Sequence, residues 1–213
     1  MAETKNTAQQ VAAHLLNIQA VKLNTREPFT WASGLRSPIY CDNRRILSYP
    51  QARDYVRDAL VAKVKEHFPQ AEYIAGVATG AIAHGVLVAQ QMELPFVYVR
   101  SAGKGHGLGN QIEGELPPAK KVVVIEDLVS TGQSSLSAVD ALINAKAEVL
   151  GMVAIFTYGL DQAAENMQSA QCPLFTLTDF NTLVQEAVNA GFLHHSSLET
   201  LEKWREDPQA WGR

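Results

Sequence analysis

The stretch "VVVIEDLVSTGQSS", from Val122 to Ser135, carries the clearest pattern in this sequence. Four apolar β-formers lead into two adjacent carboxylates, Glu126 and Asp127, and then into a small, hydroxyl-rich turn. A short continuous apolar run predicts a strand buried on both faces, which is typical of parallel sheets. Backbone N–H groups and the helix dipole at the start of the next helix favour a phosphate. Since Ser and Thr are also common helix caps, the turn alone does not require a ligand.

The two acids extend this prediction from a phosphate to a phosphorylated sugar. Because Glu126 and Asp127 are neighbours on a strand, their side chains should point in opposite directions unless the chain bends. Carboxylates accept hydrogen bonds from vicinal sugar hydroxyls, or bind a ligand that carries magnesium. The stretch has neither the lysine of a Walker A loop nor the GxGxxG of a Rossmann fingerprint. We therefore expect a ribose phosphate and disfavour those two nucleotide-binding families.

Outward from this stretch, apolar runs alternate with helical patterns. The predicted strands span 73–77, 96–99, 121–125, 148–158 and 173–178, and the predicted helices span 7–20, 50–68, 81–92 and 133–145, with another from about 161 and one or two at the end. This alternation predicts an α/β fold with a mostly parallel central sheet flanked by helices. Residues 21–44 should form a small section that is either β-rich or irregular. Ligands in such folds bind at the carboxyl ends of the strands, near the switch in strand order.

Composition limits the class of protein. A chain of 213 residues suffices for one sizeable domain, and its net charge of -4 argues against nucleic acid as the main partner. Cys41 and Cys172 are far apart, which favours a reducing compartment. The sequence starts without a signal-like segment, and no apolar run reaches the roughly 18 residues of a membrane span. We expect a cytoplasmic protein that works away from membranes.

A second candidate loop is "GVATGAIAHG", from Gly76 to Gly85, in which Thr79 and Gly80 lie between a strand and a helix. Small residues allow the backbone to approach a ligand closely, and the helix start again favours an anion. A Thr-Gly turn before a helix is more often only a cap. Alone, this loop is weak evidence for a binding site.

A third candidate loop is "VRSAGKGHGLGNQIEGEL", from Val99 to Leu116, which contains the cations Arg100, Lys104 and His106. A long glycine-rich loop in a compact domain favours a functional lid over filler. Cations on such a lid would neutralise a polyphosphate leaving group and exclude water. The alternative is a solvated flexible loop.

Together, these motifs resemble those of a known family. The apolar run, the acid pair and "LVSTGQS" resemble the phosphoribosyl diphosphate (PRPP) motif of type I phosphoribosyltransferases. The block "FTWASGLRSPIYCDNR", from Phe29 to Arg44, resembles the amino-terminal signature "SGxxSPxYxDxR" of orotate phosphoribosyltransferases, and the glycine-rich loop resembles their catalytic loop. The resemblance covers about residues 20–159. It implies a type I phosphoribosyltransferase fold with a small N-terminal hood.

The resemblance also implies a division of the chain and a set of site residues. One phosphoribosyltransferase domain would span 1–213, with 1–48 mainly hood, 49–180 core and 181–213 C-terminal helices. The implied PRPP-binding residues are Thr79, Gly80, Arg100, Lys104, His106, Glu126, Asp127, Leu128, Val129, Ser130, Thr131, Gly132, Gln133 and Ser134. The turn 130–134 would hold the 5-phosphate, and the acid pair would take the ribose hydroxyls.

Catalysis would rest on four of these residues, which are Arg100, Lys104, His106 and Asp127. The three cations would serve the active site of the neighbouring subunit, so the resemblance implies a homodimer with shared active sites. Ser130 would also contact orotate. Mg²⁺ would be the cofactor, carried by PRPP rather than held directly by the protein.

Three positions depart from patterns common in the family. Ala32 and Tyr158 stand where some members have a lysine and an arginine, so neither is assigned a ligand role. Ser101 stands where others often have a second lysine.

The implied reaction converts orotate and PRPP to orotidine 5'-monophosphate and pyrophosphate, in pyrimidine (UMP) biosynthesis. Two alternatives stay open: a type I phosphoribosyltransferase for another base, and a PRPP-binding regulator.

Overall fold

The structure, a computed structural model, describes residues 5–31, 34–100 and 111–211. Its helices and strands are, in chain order, α1 (Thr7–Asn17), β1 (Val21–Leu23), β2 (Phe29–Thr30), β3 (Arg36–Ser37), β4 (Ile39–Cys41), α2 (Pro50–His67), β5 (Tyr73–Val77), α3 (Ile82–Met92), β6 (Phe96–Val99), β7 (Ile112–Glu113), β8 (Lys121–Val129), α4 (Gln133–Asn144), β9 (Glu148–Thr157), α5 (Asp161–Ser169), β10 (Leu174–Asp179), α6 (Phe180–Asn189) and α7 (Leu198–Glu206). Two 3₁₀ helices span Asn43–Ser48 and His195–Ser197.

The central sheet has the strand order β10-β9-β8-β5-β6-β7. Its first five strands are parallel, and β7 pairs with β6 in the antiparallel direction. The predicted α/β fold with a mostly parallel sheet is therefore confirmed. The strand order reverses between β8 and β5, so the loops that follow these two strands flank the switch point.

Strand β8 is longer than its apolar run predicts. The residues from Val122 to Ile125 are fully buried, as expected for a strand covered on both faces. Pairing with β5 ends at Ile125, whereas pairing with β9 continues to Val129. Glu126 and Asp127 therefore lie within the strand, on a segment whose other edge is open toward the loop after β5.

Helix α2 begins as its sequence predicts. Pro50 occupies the first turn, where its missing N–H is not needed. The apolar residues spaced four apart, Val56, Leu60 and Val64, are buried against the sheet layer. The helix ends at His67, one residue before the predicted end.

The N-terminal strands form two short antiparallel pairs, β1 with β4 and β2 with β3. This is the β-rich alternative expected for residues 21–44. The division into hood, core and C-terminal helices stays a prediction.

An aromatic cluster connects this section to the C-terminal helix α7. The Trp204 ring, fully buried, lies with its centroid 5.8 Å from that of Trp31 and 5.5 Å from that of Tyr158. Phe156 and Phe180 complete the cluster. Tyr158 is thus a core residue, with its ring 2% exposed. The cluster fixes where the residues next to Trp204 lie.

Among the described residues, no helix is both long and apolar enough to cross a membrane.

Candidate active site

A cavity of about 380 Å³ opens at the carboxyl ends of β5, β6 and β8. It is lined by Cys41, Asp42, Arg44, Val77, Ala78, Thr79, Gly80, Val99, Arg100, Glu126, Asp127, Leu128, Ser134 and Ala138. The structure therefore brings together the acid pair, the Thr79–Gly80 loop, Arg100 and the start of α4, as the sequence predicts. The location at the switch in strand order is the one expected for a ligand in this kind of sheet.

Asp127 faces the loop after β5 across the open edge of β8. The contact is so close that a Cβ built on Gly80 would lie 2.2 Å from Asp127 Oδ2. On the other side, the side-chain amide of the buried Asn43 donates to the Asp127 carbonyl oxygen at 2.5 Å. Asp127 is thus held between the sheet and the N-terminal section, with its carboxylate in the cavity.

Glu126 lies in a different environment from its neighbour. Its side chain is buried, and its carboxyl oxygens accept hydrogen bonds from Ser135 Oγ at 2.7 Å and from the Asp127 N–H at 2.9 Å. Burial, followed by the negative charge of Asp127, raises the pKa of Glu126 to about 8. At neutral pH Glu126 therefore holds a proton, which reduces the repulsion between the two adjacent acids.

Glu126→Gln is expected to change how stability depends on pH. Because the Glu126 pKa is raised from 4.5 to about 8, the folded protein keeps a proton that the unfolded chain releases between these values. The free energy of unfolding of the wild type should therefore fall as pH rises from 5 to 8, relative to the variant. At ~1.4 kcal/mol per pKa unit, the difference should reach about 3–4 kcal/mol.

Urea denaturation at pH 5 and pH 8 measures this difference. Glu202→Gln, an exposed glutamate on α7, is the matched control and should give the wild-type pH dependence. Parallel stability curves for the wild type and Glu126→Gln would contradict the raised pKa.

The turn before α4 leaves the first helical N–H groups available. Gly132 is the N-cap residue with φ of 81°, and among the described residues no side chain caps this helix. The Thr131 carbonyl accepts a hydrogen bond from the Asn166 side chain at 2.8 Å, so helix α5 holds the turn in place. Gln133 and Ser134 are exposed at the helix start. Such a terminus favours an anion.

The remaining residues of this motif divide between the cavity and the core. Leu128 lines the cavity, whereas the Val129 side chain is fully buried and its carbonyl accepts from Thr157 Oγ1 at 3.1 Å. Ser130 and Thr131 line a second cavity of about 220 Å³. The predicted phosphate loop therefore borders two cavities rather than one.

The loop after β5 presents its backbone to the larger cavity. The peptide bond between Ala78 and Thr79 is cis. Ala78 donates its N–H to the Val99 carbonyl at 2.8 Å and Ala81 donates to the Val77 carbonyl at 3.0 Å. Within the described ranges, the N–H groups of Thr79 and Gly80 donate to no protein acceptor. They are available to an anion.

Arg100 lies at the base of the glycine-rich loop and lines the larger cavity. Its guanidinium forms an ion pair with Glu113 at 3.3 Å. The backbone N–H of Arg100 donates to the Gln111 carbonyl at 2.9 Å. The short β6–β7 pairing thus fixes both ends of the loop. The predicted residues Lys104 and His106 lie outside the described residues.

Sequence reasoning gave no site role to Cys41, Asp42 and Arg44, which line the larger cavity, or to Asn43, which donates to the Asp127 carbonyl. All four entered only as part of the block 29–44, and Cys41 was otherwise considered only for the redox compartment. Burial and the negative charges of Asp127 and Asp42 raise the pKa of the Cys41 thiol. The signal was present in "YCDNR", because a polar run directly after a strand places side chains at a strand end.

In the part of the chain that the structure describes, no group of three or more His, Cys, Asp and Glu side chains is arranged to hold a metal ion.

Comparisons with known proteins agree with this geometry. A family model described as "Phosphoribosyl transferase domain" matches residues 43–189. A Porphyromonas gingivalis protein named orotate phosphoribosyltransferase is 51% identical over 208 residues, which cover 98% of this chain and 99% of the relative. A Bacillus caldolyticus protein of the same name is 54% identical over 202 residues, covering 95% of this chain and 98% of the relative.

The fold agrees with a solved structure as well. The crystal structure of orotate phosphoribosyltransferase from Aeropyrum pernix superimposes with a TM-score of 0.75 at 27% identity, covering 86% of this chain and 99% of that one. The similarity to these relatives spans nearly the whole chain, including the N-terminal block that lies outside the general domain model. The chain therefore belongs to the orotate phosphoribosyltransferase family.

Proposed function

We propose that this protein transfers the ribose 5-phosphate group of PRPP to orotate, giving orotidine 5'-monophosphate and pyrophosphate in pyrimidine synthesis. One observation carries the proposal for the site. A single strand–turn–helix unit, β8 to α4, presents the carboxylate of Asp127 and an uncapped helix start to neighbouring parts of the same cavity region. A ribose phosphate has hydroxyls for the first and a phosphate for the second.

PRPP would bind with its 5-phosphate on the N–H and hydroxyl groups of the turn 130–134. Asp127 would accept hydrogen bonds from the ribose hydroxyls. Glu126 would be the second partner, because its protonated carboxyl has an O–H donor and acceptor capacity beyond the bonds from Ser135 and the Asp127 N–H, and it lines the same cavity.

The pyrophosphate group would lie against the loop after β5. The available N–H groups of Thr79 and Gly80 suit phosphate oxygens, and Arg100, which follows the neighbouring strand β6 and lines the same cavity, adds a positive charge. The ion pair with Glu113 orients the Arg100 guanidinium before the substrate arrives.

In the reaction, the bond between the anomeric carbon and the pyrophosphate oxygen breaks and its electron pair leaves on that oxygen. A ring nitrogen of orotate then forms the new bond to the same carbon, and the proton of that nitrogen passes to the departing pyrophosphate or to solvent. Because bond breaking runs ahead of attack and leaves an electron-poor carbon, no strong general base is required. The residues act by positioning and charge stabilisation, with Arg100, Lys104 and His106 at the leaving group and Asp127 on the ribose side.

The site fits Mg²⁺ that arrives with PRPP. Mg²⁺ usually keeps several waters and combines one or two carboxylates with substrate phosphates, and the Asp127 carboxylate offers such an oxygen in the cavity. The ion would supply positive charge to the departing pyrophosphate.

The direct test of the function offers PRPP and Mg²⁺ with orotate, uracil, adenine, hypoxanthine or xanthine, and measures pyrophosphate release. We expect release with orotate alone. Release only with a purine would reject the orotate assignment. Binding of PRPP without turnover of any base would favour a regulator.

The resemblance of the glycine-rich loop also supports a homodimer in which each subunit completes the other's active site. We further propose a cytoplasmic location, which agrees with the free thiols of Cys41 and Cys172.

A further inference from the structure

The second cavity, of about 220 Å³, differs in character from the larger one. It lies between the N-terminal section, the phosphate turn and α7, and is lined by Trp31, Leu35, Ser130, Thr131, Leu160, Asp161, Gln162, Arg205, Glu206, Pro208 and Gln209. Its volume is below the ~300–1,000 Å³ of pockets for drug-sized ligands, so it suits a single ring. The lining combines the Trp31 indole, two leucines and the cation Arg205 with the acids Asp161 and Glu206, so a planar ring can pack on its apolar part while an anionic substituent pairs with the cation.

The cation in this lining is Arg205, which is half-buried near the end of α7. A Cβ built on Gly159 would lie 3.9 Å from Arg205 Nη1, so the guanidinium lies beside the turn after β9. Among the described parts of the chain, no Asp or Glu oxygen lies within 4.0 Å of this guanidinium, although Asp161 and Glu206 line the same cavity. Its hydrogen-bonding edge is available to a ligand.

Arg205 is held in place by its neighbour in the sequence. Trp204 is fully buried in the aromatic cluster with Trp31 and Tyr158, so α7 cannot rotate without breaking that cluster. Tyr158 itself faces the core and offers no charge to the cavity. In the described lining of this cavity the cation is therefore supplied by Arg205 of α7, more than forty positions further along the chain than Tyr158.

We infer that Arg205 is a base-specificity residue, whose guanidinium pairs with the carboxylate of an orotate ring seated beside Trp31 and Ser130. This inference rests on the proposed function. Because the uncapped start of α4 is assigned to the 5-phosphate, the Arg205 cation that lines the cavity with Ser130 is left for a second anionic group, and orotate carries one in its carboxylate. A planar guanidinium matches a carboxylate through two parallel hydrogen bonds.

The test compares two nucleotides that differ only in this carboxylate. Orotidine 5'-monophosphate and uridine 5'-monophosphate share the ribose and the phosphate, and calorimetry gives their dissociation constants for the wild type, Arg205→Ala and Arg205→Lys. We expect Arg205→Ala to raise the dissociation constant of orotidine monophosphate about 10- to 100-fold, the range for a charge-assisted hydrogen bond. The dissociation constant of uridine monophosphate should change little. Arg205→Lys should restore part of the loss. The KM for orotate should rise while the KM for PRPP stays constant.

Lys203→Ala is the matched control, because Lys203 lies on the same helix, is 64% exposed and pairs with Glu199 at 2.6 Å. It should leave the dissociation constants of both nucleotides unchanged. Unchanged affinities in Arg205→Ala, or an equal loss for both nucleotides, would overturn the inference, since an equal loss indicates a phosphate contact or a structural effect. Failure of the wild type to use orotate would instead reject the proposed function, and this inference with it.

Discussion

Gly80→Ala is expected to lower kcat/KM by about 100-fold or more, because one added methyl group would displace the Asp127 carboxylate. The new Cβ would lie 2.2 Å from Asp127 Oδ2 and 2.4 Å from Cγ, far closer than any real contact. Either the carboxylate or the loop after β5 must move, and a displacement of ~1 Å at reacting groups costs on the order of 100-fold. Initial rates with varied PRPP measure the loss.

Two comparisons separate this effect from a general effect of replacing glycine. Gly191→Ala is the matched control, because a Cβ at this position meets no atom within 4 Å and the residue lines neither of the two cavities, although its φ of 75° makes the alanine strained. It should lower stability by about 1 kcal/mol and leave kcat/KM unchanged. If displacement of Asp127 is the cause, Gly80→Ala combined with Asp127→Asn should be hardly worse than Asp127→Asn alone. Normal activity in Gly80→Ala would remove the contact from the mechanism.

Much of this fold is predictable from the sequence, because buried parallel strands are recognisable as continuous apolar runs. The runs at Tyr73–Val77 and Phe96–Val99 coincide with β5 and β6 to the residue. The end of β8 was predicted wrongly, at residue 125, because apolar character stops there while pairing with β9 continues. Strand β7, Ile112–Glu113, was missed because a two-residue strand has too few positions to show a period.

The residues of the site also divide into those that the sequence predicts and those that it does not. Asp127 and Gly80 could be predicted because each comes shortly after a recognisable apolar run, and the carboxyl ends of parallel strands meet at one edge of the sheet. Their contact could not, because it depends on the open edge that β8 leaves beside β5. Asn43 contacts Asp127, and Arg205 lines the smaller cavity, from distant segments, so no local pattern marks them. The raised pKa of Glu126 depends on burial, which a short motif does not specify.

Lys104→Ala is expected to lower turnover by about 100- to 1,000-fold, the range for removal of one group that stabilises charge in the transition state. Its effect on PRPP affinity should be much smaller, since the phosphate turn and the loop after β5 remain. Lys104 lies outside the described residues, and its role is proposed from the resemblance of the glycine-rich loop. Single-turnover rates and PRPP binding separate the two effects, and near-normal turnover would remove the loop from the chemistry.

Mixing Lys104→Ala with Asp127→Asn tests whether the loop acts across subunits. Each variant alone should be nearly inactive. In a hybrid dimer with crossing loops, one site combines the intact Asp127 of one subunit with the intact Lys104 of the other, while the second site has neither. Random exchange of equal amounts should therefore restore about a quarter of wild-type activity, since half of the dimers are hybrids with one working site. A loop that acts within its own subunit leaves every site with one defect, so absence of recovery after demonstrated subunit exchange would reject sharing. Because Asp127 is fixed on β8 by Asn43 and Gly80, the recovered activity would report on the loop alone.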